Sequence, residues 1–170
     1  GVANSGWAFA NWSGDLSGSA NPASLTMNAA KSVTARFVAL HPFTVISARG
    51  GSPSPPVGTQ TYTSGTLITA TLTSGVVDGP TGTRYVCTGW TGQGSVPSSG
   101  SGTSTSFSID KPSTITWQWK TQYQLTTAVS PLGRGSVTLN DGVIPATGWY
   151  DSGAVVAVRA MANSGWSFAN

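Results

Sequence analysis

The sequence predicts an all-β fold of tandem small antiparallel β modules of about 80 residues, one of them split across the two chain ends. Three observations carry that expectation. Residues 3–11 and 162–170 are identical except for Ala8 against Ser167, at an offset of 159 residues. Apolar and polar residues alternate in several short runs, the period-two signature of a half-buried strand. With 22 Gly, 10 Pro, no Glu and only 8% charged residues, the composition suits strands and turns and offers little to helices.

The long offset means that a chain of 170 residues covers one period and re-enters its opening motif. A segment of a longer array, with each end interrupting a module, is therefore expected. A weaker similarity halves the period. Trp12-Ser13-Gly14 is matched by Trp90-Thr91-Gly92, and Leu25-Thr26-Met27-Asn28 by Phe107-Ser108-Ile109-Asp110. Residues 32–37 align with 114–119, and Tyr62-Thr63-Ser64-Gly65 with Tyr150-Asp151-Ser152-Gly153. These matches place the closing half of a repeat module at 1–40, a complete module at 41–120 and the opening half of the next at 121–170.

Taken along the chain, Trp7, Phe9 and Asn11 share one face of the first strand, and strict alternation puts Trp12 on the other. Tyr85, Cys87 and Trp90 repeat that parity break, which predicts at both places a bend or bulge, or a Trp that packs against a neighbouring module. Val33, Ala35 and Phe37 alternate with polar residues, as do Ile115, Trp117 and Trp119. Tyr123, Leu125, Thr127 and Val129 line one face of a further strand, and Ala154, Val156, Val158 and Ala160 that of another. Burial is expected for Val33, Phe37, Ile115, Trp117, Trp119, Leu125, Val156 and Val158. Pro131-Leu132-Gly133 and Asn140-Asp141-Gly142 mark turns, since Pro presets φ and Gly supplies a positive one. Ser98–Ser106 is low-complexity Ser, Gly and Thr and is expected to be a mobile loop, with O-glycosylation as an alternative.

Several of these stretches resemble a known family. Gly6-Trp7 through Phe9, residues 12–19, Asn21-Pro22, Leu25-Thr26-Met27 and residues 31–37 are similar to the divergent internalin B-type repeats of large bacterial surface and secreted proteins. Tyr123–Val129, Gly133–Leu139, Tyr150–Gly153 and Trp166–Asn170 resemble the opening half of such a repeat. Residues 41–120 follow the pattern in outline only, with Arg84–Trp90 and the Ser/Gly insertion after it departing from it. The resemblance implies β-rich spacers strung between other domains, on the cell surface or outside the cell, and it brings no catalytic residues with it.

Charge and composition narrow the function classes. An apolar content of 38%, with seven Trp, four Tyr and five Phe, is enough for packed cores and argues against disorder. The eight Lys and Arg are scattered, so a nucleic-acid groove is not expected. No apolar run approaches a membrane span, so membrane insertion of this segment is not expected either.

Chemistry-bearing residues are sparse. Cys87 is single and reads as a small buried hydrophobe, taking the place of Phe168 by alignment, in preference to a reactive thiol. His41 is also single, so neither a metal site nor a catalytic dyad is expected, and no cofactor is implied. Asp15, Asp141 and Asp151 sit in turn-like contexts where Asp bonds locally, which argues against paired-carboxylate hydrolysis. Asn11-Trp12-Ser13 is a formal glycosylation sequon, expected to be silent within a core strand. The candidate inter-module or binding aromatics are Trp12, Trp90, Trp149 and Tyr150, with packing in the core or between modules favoured over sugar stacking.

Two functions from different classes follow. One is a non-enzymatic structural segment of a long extracellular bacterial surface protein, stalk or filament, whose partners are neighbouring repeats or copies of itself, head to tail. The alternative is an adhesin or carbohydrate-binding array in which exposed aromatics and the 91–106 loop recognise surface glycans.

Overall fold

The computed structural model describes residues 2–139 and 147–167, so the turn expected at Asn140-Asp141-Gly142 and the face expected of Phe168 lie outside the described residues. The described chain is all β, with no helix among the described residues. Its strands are β1 (Trp7–Gly14), β2 (Val33–Ser47), β3 (Pro53–Ser54), β4 (Gly58–Thr63), β5 (Leu67–Leu72), β6 (Val76–Asp78) and β7 (Thr83–Gln93). They continue as β8 (Ser99–Gly100), β9 (Ser104–Ser108), β10 (Ser113–Thr126), β11 (Gly135–Leu139), β12 (Thr147–Asp151) and β13 (Val158–Ala162). The chain divides into two compact units, Gly1–Ser74 with Gly89–Gln118, and Gly75–Thr88 with Trp119–Asn170. Of the three boundaries between them, one falls between β5 and β6 and the other two fall inside β7 and β10.

In the first unit β2 is the organising strand. Its opening residues pair antiparallel with β1, its middle pairs antiparallel with β4, and Phe43–Ser47 pair with Ser113–Trp117 of β10. That last pairing is parallel, where sequence patterning predicts antiparallel modules. A parallel pair needs a long crossover, and residues 48–112 provide it by building the second layer, the sheet β3-β5-β9. Phe43, Val45, Ile115 and Trp117 face that layer and are fully enclosed. Phe107 from β9 meets Phe43 edge-on, with ring centroids 5.2 Å apart. Ile68, Ala70 and Leu72 complete the core from β5.

The parity break resolves as a bulge in β1. Phe9 pairs with Phe37 and Asn11 with Arg36, so one residue is left over between them. The extra residue returns Trp12 to the side of Phe9, and their rings lie 5.1 Å apart. At the matching place in β7, Gly89 takes a φ of +127° and Gly89 and Trp90 are buried in succession. The low-complexity stretch expected to be a mobile loop is folded instead. Ser99–Gly100 form β8 and Ser104–Ser108 form β9, where Thr and Ser hydroxyls face outward and pair, as Thr69 Oγ1 does with Ser106 Oγ at 2.9 Å. Composition hid a strand whose inward anchor is Phe107.

The second unit has fewer buried side chains among the described residues. Val76–Asp78 pair with Arg84–Val86, β10 pairs with β12 from Gln122 to Thr126, and β11 pairs with β13. Leu139 and Thr138 are its buried side chains among the described residues. Of the residues expected to be buried, Ile115 and Trp117 are; Phe37, Trp119, Leu125 and Val156 are half-buried; Val33 and Val158 are exposed. The strand expected over Ala154–Ala160 forms only from Val158 onward. The reason is shared: an alternating strand has an inner face only where a second layer covers it, and β13 has β11 as its one partner among the described residues. Cys87 is half-buried instead of enclosed, because the whole run from Thr83 to Cys87 is covered only in part beside the three-residue β6.

Trp117 and Trp90 meet edge to face at 70°, 5.8 Å between centroids, and neither indole N–H has an acceptor. Each unmet donor costs about 1–3 kcal/mol, against roughly 4–6 kcal/mol from burying an indole of about 150–250 Å². Packing wins. Trp117→Ala is therefore expected to lower unfolding free energy by about 3–5 kcal/mol in a denaturant titration, and Trp119→Ala, half-exposed, by clearly less. Equal losses would contradict this core. Gly100 lies flat beneath Trp90, and a Cβ there would overlap Cζ2 and Cη2 of the indole. Gly100→Ala should therefore cost about 1–3 kcal/mol by overpacking, measured the same way, and no loss would contradict the close approach.

Candidate functional site

The aromatic residues singled out from sequence have four different surroundings. Trp12 is half-buried in the first unit, its Nε1 donating to the carbonyl of Ala20 at 2.9 Å and its backbone N–H to that of Gly18 at 2.9 Å. Trp90 belongs to the core of the same unit, paired with Gly100 across the strands. Both tryptophans thus face a glycine, since Trp12 forms an isolated antiparallel bridge with Gly18.

Trp149 and Tyr150 belong to the second unit, on β12. As strand neighbours they point to opposite faces and do not form one stacking surface. Trp149 lies under the Arg84 guanidinium, 4.5 Å from ring centroid to Cζ. Arg84 Nε donates to Gln122 Oε1 at 2.8 Å, Gln122 Nε2 donates to Asp151 Oδ1 at 2.7 Å, and Lys120 Nζ donates to Asp151 Oδ2 at 2.8 Å. Tyr150 pairs across the strands with Tyr123, which is 52% exposed. No local signal marks this arrangement in the sequence, because β7 with β10 and β10 with β12 bring residues 38 and 29 apart into contact.

Two exposed carboxylates are held below the ordinary range by their donors. Asp151 is lowered first by the hydrogen bond from Lys120 and then by that from Gln122. Asp110 is lowered chiefly by Ser95, whose Oγ donates to Asp110 Oδ1 and accepts the Asp110 N–H at 3.0 Å. Asp15 sits at a bend after β1, but its Oδ2 accepts the N–H of Ser32, 17 residues on, at 2.7 Å, in place of the local bond expected of it. His41 pairs across the strands with Tyr62, and no cluster of three His, Cys, Asp or Glu that could hold a metal ion occurs among the described residues. Asn11 of the sequon is half-buried in β1, its Nδ2 donating to the carbonyl of Trp12 at 3.1 Å.

A groove of about 350 Å³ lies on the second unit, lined by Val129, Pro131, Arg134, Val137, Met161 and Trp166 among others. Arg134 stacks on Trp166 at 4.6 Å. Pro131-Leu132-Gly133 make the turn at its rim, with the Arg134 N–H donating to the Pro131 carbonyl at 3.3 Å and Gly133 at a φ of +77°.

The duplicated sequences form duplicated structure. Trp7 N–H donates to Asn4 O at 3.1 Å with Gly6 at φ +79°, and Trp166 N–H to Asn163 O at 3.0 Å with Gly165 at +81°. Both are turns of the type that needs a positive φ at the third residue. Thr66 N–H donates to Thr63 O with Gly65 at +85°, as Ala154 N–H does to Asp151 O with Gly153 at +85°. Ser64 N–H reaches Ala39 O at 2.8 Å, and Ser152 N–H reaches Thr121 O at 2.9 Å. Thus β2–β4 and β10–β12 are the same hairpin-like pairing built twice.

A chain whose turns and pairings recur in this way is a β-repeat protein. It belongs to the divergent InlB B-repeat domain family, whose model matches residues 1–40 and 125–170, just over half of the chain. That family is a structural one of bacterial surface-protein repeats, which associates the chain with the cell surface or exterior. No curated protein and no solved structure matches the chain. No helix among the described residues is long and apolar enough to cross a membrane.

A carboxylate lowered on folding adds stability that is present above its unfolded pKa and is lost as pH falls through the folded one. Thermal melts should therefore show a fall in Tm as pH drops below about 4. Asp151→Asn and Asp110→Asn should each make that fall shallower. A wild-type slope unchanged in both variants would contradict the assignment.

Proposed function

We propose that this chain is a non-catalytic structural segment of a long extracellular bacterial surface protein, a stalk or filament in which copies follow one another head to tail. The observation that carries the reading is the motif at 3–11 and 162–170, which takes the same turn twice at the distance of one period. A joint with one local geometry lets each copy enter the next in a constant way, and a constant joint repeated produces an extended array. The use of the tryptophans supports the same reading. Trp90 is enclosed, Trp12 is hydrogen-bonded through its indole, and Trp149 is covered by Arg84.

One observation favours a second reading, an adhesin that binds surface glycans. Tyr123 is half-exposed beside Tyr150, an aromatic pair on which a sugar ring can stack. Saturable glycan binding abolished by Tyr123→Ala would move the assignment to that reading.

Chains of one, two and three periods, studied by small-angle X-ray scattering, test the stalk. The maximum dimension is expected to grow by the same increment with each added period. Compact particles that grow only slowly with chain mass would rule the stalk out.

A further inference from the structure

The two half-repeats let the described parts of the chain be compared position by position. Gly65 and Gly153 end the same turn, so β5 corresponds to the stretch that leads into β13. Ile68, Ala70 and Leu72 of β5 are all buried, with Ala70 at 1%. Their counterparts Val156, Val158 and Ala160 are half-buried or exposed, Val158 at 58%. The difference lies in partners. β5 runs between β3 and β9, whereas β13 has β11 alone among the described residues.

The sequence match also supplies the counterpart of β9. Phe107-Ser108-Ile109-Asp110 corresponds to Leu25-Thr26-Met27-Asn28. Phe107 and Ile109 are buried, whereas Leu25 is half-buried, Met27 is 70% exposed and residues 23–27 form no strand. Val33 is 41% exposed, whereas its counterpart Ile115 is at 0%. Apolar residues that close a core in one module are therefore half-buried or exposed in both pieces of the other.

We infer that residues 22–28 of a second copy add as an antiparallel strand to the edge of β13, and that residues 12–40 of that copy close the module opened by residues 121–167. The inference rests on the head-to-tail reading and names its joint. The register is that of β5 with β9. Ile68 faces Phe107 and Ala70 faces Thr105, so Val156 faces Leu25 and Val158 faces Ala23. Strand addition satisfies the backbone groups along β13, and the side chains of Leu25, Met27 and Val33 then cover Val156 and Val158.

The motif shared by the two ends accommodates both sets of partners. In its second occurrence the pairing with β11 uses Val158–Ala162, which ends at the counterpart of Ala3. In its first occurrence the pairing with β2 starts at Trp7, with Leu40 N–H donating to Gly6 O at 2.8 Å. The Asn-Ser-Gly-Trp turn separates them. One copy of the motif can therefore pair with β11 on its near side and β2 on its far side without any residue being used twice.

The test is the full chain extended after Asn170 by a second copy of residues 12–40, the order that the 159-residue period dictates. A control carries Leu25→Asp and Met27→Asp in the added copy only, leaving the parent residues untouched. Amide hydrogen exchange over residues 155–162 is expected to slow at least about tenfold in the extended chain and not in the control. No slowing, or equal slowing in both, overturns the inference. Its failure is distinct from that of the stalk. Protection of 155–162 with compact multi-period chains would remove the stalk and keep the joint, and extended chains without protection would remove the joint alone.

Discussion

A β-strand needs a hydrogen-bonding partner along its edge and a cover over its apolar face, and every feature of this chain follows from where those two needs are met. They are met most fully around β2 and β10. The parallel pairing of Phe43–Ser47 with Ser113–Trp117 sets four large apolar side chains toward the sheet β3-β5-β9, and that second layer comes from the crossover the parallel pair requires. The Trp90–Trp117 contact completes this core although both indole N–H groups go without acceptors. Apolar burial outweighs the hydrogen bonds forgone, and Gly100 makes room for the indole.

Where cover is missing, the same sequence patterns behave differently. The stretch leading into β13 has the alternation of β5, yet its valines are not enclosed. Local geometry is nonetheless preserved between the half-repeats, in the turns at Gly65 and Gly153 and in the bonds from Ser64 and Ser152. Turns are set by a few residues with the right φ preferences, so they form wherever the motif recurs. Cores need contributions from distant segments, so they form only where those segments are present.

The functional surfaces show the same division. Trp12, Trp90, Trp149 and Tyr150 stand out in the sequence as large aromatics at recurring positions, and their surroundings turn out to be unlike one another. Trp90 is core, Trp12 caps a loop through Ala20, and Trp149 lies under Arg84. The network of Arg84, Gln122, Asp151 and Lys120 is assembled from strands far apart in sequence, and no spacing rule joins them. Low complexity misled in the opposite direction at Ser98–Ser106, since strand pairing uses backbone groups that any residue except proline supplies.

The sequence by itself determined the all-β class, the 159-residue period, the turn at Pro131-Leu132-Gly133 and the backbone irregularity before Trp12. Each of these depends on residues close in sequence or on direct self-similarity, so each could be read without coordinates. Tertiary structure alone decided that β2 and β10 pair in parallel, that Val33 and Val158 are exposed while Ile115 is enclosed, and that Cys87 is only half covered. Alternation specifies which face of a strand is apolar, but the layer that covers that face comes from elsewhere in the chain.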